Sequence, residues 1–294
     1  MSQQDALEPR AVARAFGAAS HSYDGAAKLQ AEVRDELLSR LVLLRAPPTA
    51  VLDLGAGTGL GALALKRRFP RARVTATDFS VPMLAVARRR SRFWRPIHCI
   101  EADARALPFE AASFDLVFTS LMLQWVQPLD AAITEIRRVL KPGGLLLASS
   151  FGPQTLQELR AAWAAADDQV HVNDFIDMHD FGGALQRAGF TEPVLDVDRH
   201  LRHYADAAAL MRELKAIGAH NVNASRRRGL TGRTALTRMN AAYEAQRTPA
   251  GLPATWQVVY AVAWAASDPV PGTRSDEVLI DVNQLRGKLA GRRR

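Results

Sequence analysis

Asp53 stands just before three glycines at alternate positions, Gly55, Gly57 and Gly59, in the run AVLDLGAGTGLGALAL from Ala50 to Leu65. Glycine reaches positive φ without strain and, having no Cβ, lets backbone N–H groups come close to a ligand. Such a loop suits a small molecule seated at a helix N-terminus. Asp78 closes the run RVTAT roughly twenty residues beyond the glycines, where a carboxylate can take both hydroxyls of a ribose. A third acid, Asp103, follows Ile97–Ile100 in EADARALPF. Any one of these carboxylates alone also reads as a helix cap or turn residue, and a glycine loop alone can hold a dinucleotide. Their recurrence at successive strand ends is the stronger signal.

The elements that position them follow from pattern. Ala50–Leu54 is a buried-strand run that passes through the glycines into an apolar helix ending near Phe69. Further strands are expected at Arg73–Thr77, Ile97–Ile100 and Phe114–Thr119 (FDLVFTS, leading into LMLQWV). VLKPGGLLLAS, Val139–Ser149, supplies a helix end, a Pro-Gly-Gly turn and a fifth strand. This βαβαβ order with short turns predicts parallel pairing, helices on both faces and a ligand beyond the carboxyl ends of the strands. Before it, Val12–Leu41 reads as a helical arm, with Leu29, Val33, Leu37 and Leu41 at helical spacing, placed to cover the ligand. After it come SFGPQTLQELR, FIDMHDFGGALQRAGF, a strand at Val194–Val197, a helical insertion and a last strand at Ala254–Ala266.

Composition bounds the rest. The 294 residues are 48% hydrophobic and 23% charged, the balance of a globular protein rather than a disordered one. MSQQDALEPR lacks the basic and apolar regions of a secretory signal, and no window holds 18 uninterrupted apolar residues for a membrane span. Cys99 is the single cysteine, which excludes an internal disulfide and a Cys-cluster metal site and suits the cytoplasm. The seven histidines show no ligand spacing, so no metal is expected. A net charge of +8 and a pI near 10.2 favour polyanionic partners. The charge gathers at Lys66–Arg73, at Arg88–Arg95, and from Arg199 to Arg238, where nine Lys and Arg face only Asp206 and Glu213.

From Val51 to Ser150 the chain resembles the class I S-adenosylmethionine (SAM) methyltransferases; nicotinamide dehydrogenases space their glycines differently and lack the ADARALPF…FDLVFTS sequel. The resemblance implies an α/β fold: a Rossmann-like, mostly parallel sheet of seven strands, with an N-terminal helical arm and a helical insertion before the last strand. It implies that SAM is bound by Asp53, Gly55, Ala56, Gly57 and Gly59 at its methionine part. Asp78 is then at the ribose, Asp103 and Ala104 are at the adenine, Phe79 is also in the cofactor site, and Ser120 to Leu123, Leu121 included, line the floor near the sulfonium. Over nearly the whole chain AFGxAxxxYDxxAxLQ, LMLQWV, LKAIGAHN, LT…LTR and PATWQVVY resemble the malonyl-[acyl-carrier-protein] O-methyltransferases of biotin synthesis. FGPQTLQELR, LQRAGF and PATWQVVY are also similar to mitochondrial complex I assembly factors of the same fold, associated with arginine hydroxylation; LKAIGAHN in full sides with the methyltransferases.

That resemblance implies methylation of the free carboxylate of malonyl-phosphopantetheine on acyl carrier protein, or of malonyl-CoA, to the ester that primes pimeloyl synthesis. Its expected parts are an arm at 1–45, a SAM-binding core at 46–200 and an insertion on the substrate side at 201–253. A final strand at 254–267 follows; the basic tail at 268–294 departs from the shorter biotin enzymes, and its end is expected to be disordered. A carboxylate of pKa near ~4 is already ionised at neutral pH, so no general base is expected. Tyr23 either donates its hydroxyl to the malonyl group or only packs the arm down. Lys215 would supply a charge, His220 or Asn221 a hydrogen bond, and Trp125 an apolar wall. Gly218 is a helix stop that admits a thin substrate or an ordinary C-cap. Arg226, Arg227 and Arg228 would steer the small acidic carrier by complementary charge, unless they only solvate a loop. An RNA methyltransferase would share fold and pI, but no appended RNA-binding module is visible and no aromatics interleave that arginine run.

Overall fold

Alternate side chains of β1 (Ala50–Leu54) serve two hydrophobic layers, Val51 on one face and Leu52 and Leu54 on the other. A strand apolar on both sides must be central, since each face needs helices to cover it. The computed structural model, which describes residues 8–219 and 232–266, places β1 between β2 (Arg73–Asp78) and β4 (Phe114–Ser120), parallel to both. β3 (Ile97–Glu101) extends the sheet beyond β2, and β5 (Leu140–Phe151) lies parallel to β4. β7 (Leu252–Ala265) inserts antiparallel between β5 and β6 (Phe190–Tyr204), giving the order β3-β2-β1-β4-β5-β7-β6.

Against one face pack α3 (Lys28–Ser39), α4 (Leu60–Arg68), α7 (Gln157–Ala164), α9 (Ala207–Ala216) and α10 (Arg233–Glu244). α6 (Leu129–Val139) and α8 (Met178–Arg187) cover the other. α5 (Val81–Arg90) lies over β2 and β3. The arm is three helices rather than one: α1 (Pro9–Ala19), α2 (Tyr23–Ala26) and α3, whose Leu29, Val33 and Leu37 are buried as their spacing requires.

The amino end of β1 is anchored by Asp115 of β4. Its carboxylate accepts from the backbone N–H groups of Thr49 and Ala50 and from Thr49 Oγ1, and it pairs with Lys141 at 2.7 Å. Burial raises its pKa, but Lys141 and the other donors outweigh that and hold it at about 2.

β6 is far longer than its apolar core Val194–Val197 suggested. It runs on through DRHLRHY, because an edge strand that pairs only with β7 tolerates charged side chains on its open side. The insertion between β6 and β7 therefore spans 205–251, narrower at both ends than the expected 201–253. Among the described residues no helix is long and apolar enough to cross a membrane.

Candidate active site

The carboxyl ends of β1, β2 and β4 open into two adjoining cavities that share Tyr23, Gly55, Gly57 and Ser120. The loop between β1 and α4 forms their common wall. Gly55 and Gly57 have φ of +73° and +52°, and a Cβ on Gly55 would overlap the Met122 side chain. The Gly55 and Ala56 N–H groups donate to Thr77 O, at 2.8 and 2.9 Å, which ties the loop to the end of β2. A Cβ on Gly57 would meet nothing within 4 Å, so this glycine opens on the cavity. Gly59 behaves differently. It lines neither cavity, and its missing Cβ makes room for Ala87 of α5, which would lie 2.7 Å away. The last glycine expected at the cofactor is thus a helix-packing residue, because α4 has already turned from the loop.

Asp78 sits at the end of β2. Its Oδ2 accepts the Gly57 N–H and its Oδ1 the Ser80 N–H, both at 2.8 Å, leaving each oxygen a second lone pair. Burial pushes its pKa up, against the lowering effect of the Ser80, Gly57 and Phe79 N–H groups. Phe79, Asp103, Ala104 and Leu121 line the same cavity. Asp103 is held below the ordinary carboxylate range by its hydrogen bonds with Arg105, whose Nη2 lies 2.6 Å from Oδ2. The turn carrying Leu121 is unusual: φ is +51°, its N–H donates to Ser149 Oγ at 3.1 Å, and its carbonyl accepts from Gln124 at 2.7 Å.

Asp53 and Ala56 line the second cavity. Asp53 is only 3% exposed, and its Oδ2 accepts no hydrogen bond from the described residues. Burial raises its pKa to about 7; the Ala62 N–H lowers it, Asp78 raises it and Arg34 lowers it. Arg34 and Gln30, one turn apart on α3, line the same cavity. Arg34 Nε and Nη2 donate to Asp35 at 2.9 and 2.8 Å. Sequence reasoning missed Arg34. Gln30 and Arg34 sit one residue beyond the inward positions Leu29 and Val33, so the spacing that located the buried stripe also marked its polar border.

The arm roofs both cavities. Tyr23 lines each, and its hydroxyl is held protonated by burial and by the charges of Asp78 and Asp24. Asp24 accepts from Thr58 Oγ1 of the glycine loop at 2.7 Å and pairs with Arg90 at the end of α5. Phe16 packs edge-on to Trp125, with ring centroids 5.3 Å apart, and both line the first cavity. The insertion in turn grips the arm: Ser22 Oγ donates to Ala216 O at 2.9 Å, and Gly218 lies against the backbone of Ala15 and Phe16. Gly218, at φ +73°, ends α9 and leaves room for the arm rather than for a substrate. Lys215 is exposed on the outer side of α9 and lines neither cavity, because the flank carrying Ala216 and Ile217 turns inward instead. His220, Asn221, Arg226, Arg227 and Arg228, and the tail beyond Ala266, lie outside the described residues.

A model of the methyltransferase domain matches residues 52–148, from β1 into β5. A malonyl-[acyl-carrier protein] O-methyltransferase of Laribacter hongkongensis is 48% identical over 261 residues, covering 86% of this chain and 88% of that protein. The protein of the same name from Xylella fastidiosa is 46% identical over 278 residues, covering 93% of this chain and 94% of its own. The chain belongs to the malonyl-[acyl-carrier protein] O-methyltransferase family. Its likeness to the family extends well past the methyltransferase domain, through the arm and the insertion that close the site. The crystal structure of the YcgJ protein from Bacillus subtilis shares the fold alone, with a TM-score of 0.57 at 15% identity over 79% of this chain and 98% of that one. The domain and the fold support SAM as the methyl donor.

Proposed function

We propose that this chain transfers the methyl group of SAM to the free carboxylate of a malonyl thioester borne by acyl carrier protein, malonyl-CoA serving as a substitute. The observation that carries the donor assignment is the pairing across the second cavity. A buried carboxylate oxygen without a hydrogen-bond partner among the described residues, Asp53 Oδ2, stands in one cavity with the Arg34 guanidinium. These are complementary to the ammonium and carboxylate of an amino-acid end, which SAM has. Asp78, with a lone pair left on each oxygen, suits the ribose hydroxyls, while Asp103, Ala104 and Phe79 border the adenine. The acceptor assignment is supported by the name that the relatives share.

Bound SAM supplies an electrophilic methyl on a positive sulfur. The chain itself need remove no proton, since a malonyl carboxylate is ionised above about pH 5. What it must do is hold donor and acceptor in line and keep water away, because water stabilises the separated charges that the transfer annihilates. Phe16, Tyr23 and Trp125 exclude water over the Ser120–Leu121 floor. Tyr23, kept protonated, donates its hydroxyl to the acceptor carboxylate. Lys215, facing solvent, is assigned no contact with it. No histidine lines either cavity among the described residues.

Incubation with methyl-labelled SAM and malonyl-acyl carrier protein should yield a labelled methyl ester released by alkali. Absence of label on both the carrier and malonyl-CoA would reject the acceptor assignment.

A further inference from the structure

Two basic stretches separated in sequence form one surface. Between Gly61 and Ile100 ten Lys and Arg face a single acid, Asp78, and that acid is buried at the active site. α4 and α5 both pack against β2 and β3, and each ends in a basic last turn, which brings the two stretches to one side of the sheet. Arg67, Arg68, Arg88, Arg89, Arg92 and Arg95 are all exposed. Within Arg88–Arg95, only Arg90 has an ion-pair partner among the described residues, and that partner is Asp24 of the arm.

The turn itself is built around two uncovered rings. Arg95 N–H donates to Arg92 O at 2.9 Å, closing the turn, and its tip presents Phe93 at 98% exposure and Trp94 at 72%. Arg92 lies over the Trp94 ring at 5.9 Å. Charge alone keeps a surface soluble, and it gains nothing from adjacent bare aromatics. Arginine with tryptophan and phenylalanine is instead the composition of an interface centre. The place also matters. Arg90 holds Asp24, the neighbour of Tyr23, so this surface borders the arm that roofs the active site.

We propose that the Arg88–Arg95 turn, with Phe93 and Trp94 exposed among its arginines, is the docking surface for the acidic protein that delivers the acyl acceptor. This rests on reading the acceptor as a carrier-bound malonyl thioester. The arginines complement the carboxylates of an acidic carrier, and the two exposed rings offer the apolar contact at the centre of such an interface. Nucleic acid fits less well. Single strands are gripped by successive rings spaced along a groove, whereas both rings here crown one four-residue turn.

The test uses the full chain in two variants, Phe93→Ser with Trp94→Ser, and Arg89→Ser with Arg92→Ser and Arg95→Ser. None of these residues lines the active site. Binding of malonyl-acyl carrier protein is measured directly, and kcat and KM are measured with the carrier and with malonyl-CoA. Each variant should weaken carrier binding and raise the carrier KM by roughly tenfold or more, the loss expected from truncating hot-spot residues. For the arginine variant the loss should shrink at raised salt. The KM for malonyl-CoA and the affinity for SAM should stay as in the parent. Unchanged carrier binding in both variants overturns the proposal, as does an equal loss with malonyl-CoA. Retention of a labelled RNA by the parent, lost in the variants while carrier binding is kept, would reassign the surface to nucleic acid. If the parent esterifies neither acceptor, the functional reading fails, and direct carrier binding still decides the docking surface on its own.

Discussion

With the amino-acid end of SAM at Asp53, as proposed, the affinity for SAM should depend on pH. Burial raises its pKa from 3.8 to about 7, a cost of roughly 4 kcal/mol for carrying the charge at ~1.36 kcal/mol per unit. A raised carboxylate pKa stabilises the fold fully below pH 3.8, and that stabilisation is lost as pH rises through about 7. A ligand that presents an ammonium to Oδ2 binds the ionised form, so below pH 7 each binding event must release a proton. Linkage then weakens SAM about tenfold per pH unit on the acid side, and roughly twenty-five-fold between pH 7.5 and 5.5. Above about pH 8 the α-amino group of the ligand loses its own proton, and affinity falls again. Titration calorimetry in two buffers of different ionisation heat should count nearly one proton released at pH 6. Asp53→Asn, which keeps the shape, should bind SAM weakly with no acid slope. An affinity constant from pH 5.5 to 7.5 with no proton release would refute the placement of the amino-acid end at Asp53.

Asp78→Ala removes the acceptor for the Gly57 and Ser80 N–H groups as well as the proposed ribose contacts, so SAM affinity should fall at least ten- to hundredfold by calorimetry; unchanged affinity in a folded variant would reject the assignment. Gly59→Ala should destabilise the fold by about 1–3 kcal/mol through its contact with Ala87, read as a lower thermal midpoint, while folded protein still binds SAM; Gly55→Ala should abolish that binding by displacing Met122. With SAM saturating, kcat should be flat across about pH 6.5–8.5 and survive every single His→Ala substitution; a bell-shaped kcat would demand a base and another acceptor. Replacing Arg226, Arg227 and Arg228 with Ser should raise the carrier KM at low salt with little change in kcat, and a change in neither would leave them a solvated loop.

The sheet was legible because its signals are local. β1, β2 and β3 are short runs that end in a glycine loop or an acid, and Gly55, Gly57, Asp78 and Asp103 fell at or just beyond those ends. At Gly59 the same positive φ serves a ligand or a helix crossing, and only the position of Ala87 reveals the packing role. Lys215 looked functional by motif, yet its direction is set by which flank of α9 turns inward, a tertiary fact. Arg34 was hidden for the converse reason. Its sequence neighbours Asp35 and Glu36 make it look like part of a solvated face, and only the docking of α3 over β4 and β5 brings it to the cavity of Asp53. The polar run of β6 escaped notice because its half-buried face carries His200, Arg202 and Tyr204 while Leu201 faces outward, so burial alternates but hydrophobicity does not.

Two carboxylates on neighbouring strands show how the sheet divides its labour. Asp115, at the amino end, receives two backbone N–H groups, a hydroxyl and an ammonium, and its pKa is held at about 2. Asp53, at the carboxyl end, is more deeply buried, keeps one oxygen without a donor, and rises to about 7. Satisfying Asp53 from within, as Asp115 is satisfied, would stabilise the fold and remove the attraction for a cation. The strain at Leu121 and the latch of Asp24 on Thr58 and Arg90 belong to the same end of the sheet. Stability is concentrated where the strands begin, and unmet bonding capacity where they finish. A donor cation can therefore recover on binding what the fold forgoes at Asp53, and the arm that keeps water from that carboxylate also keeps it from the reacting pair.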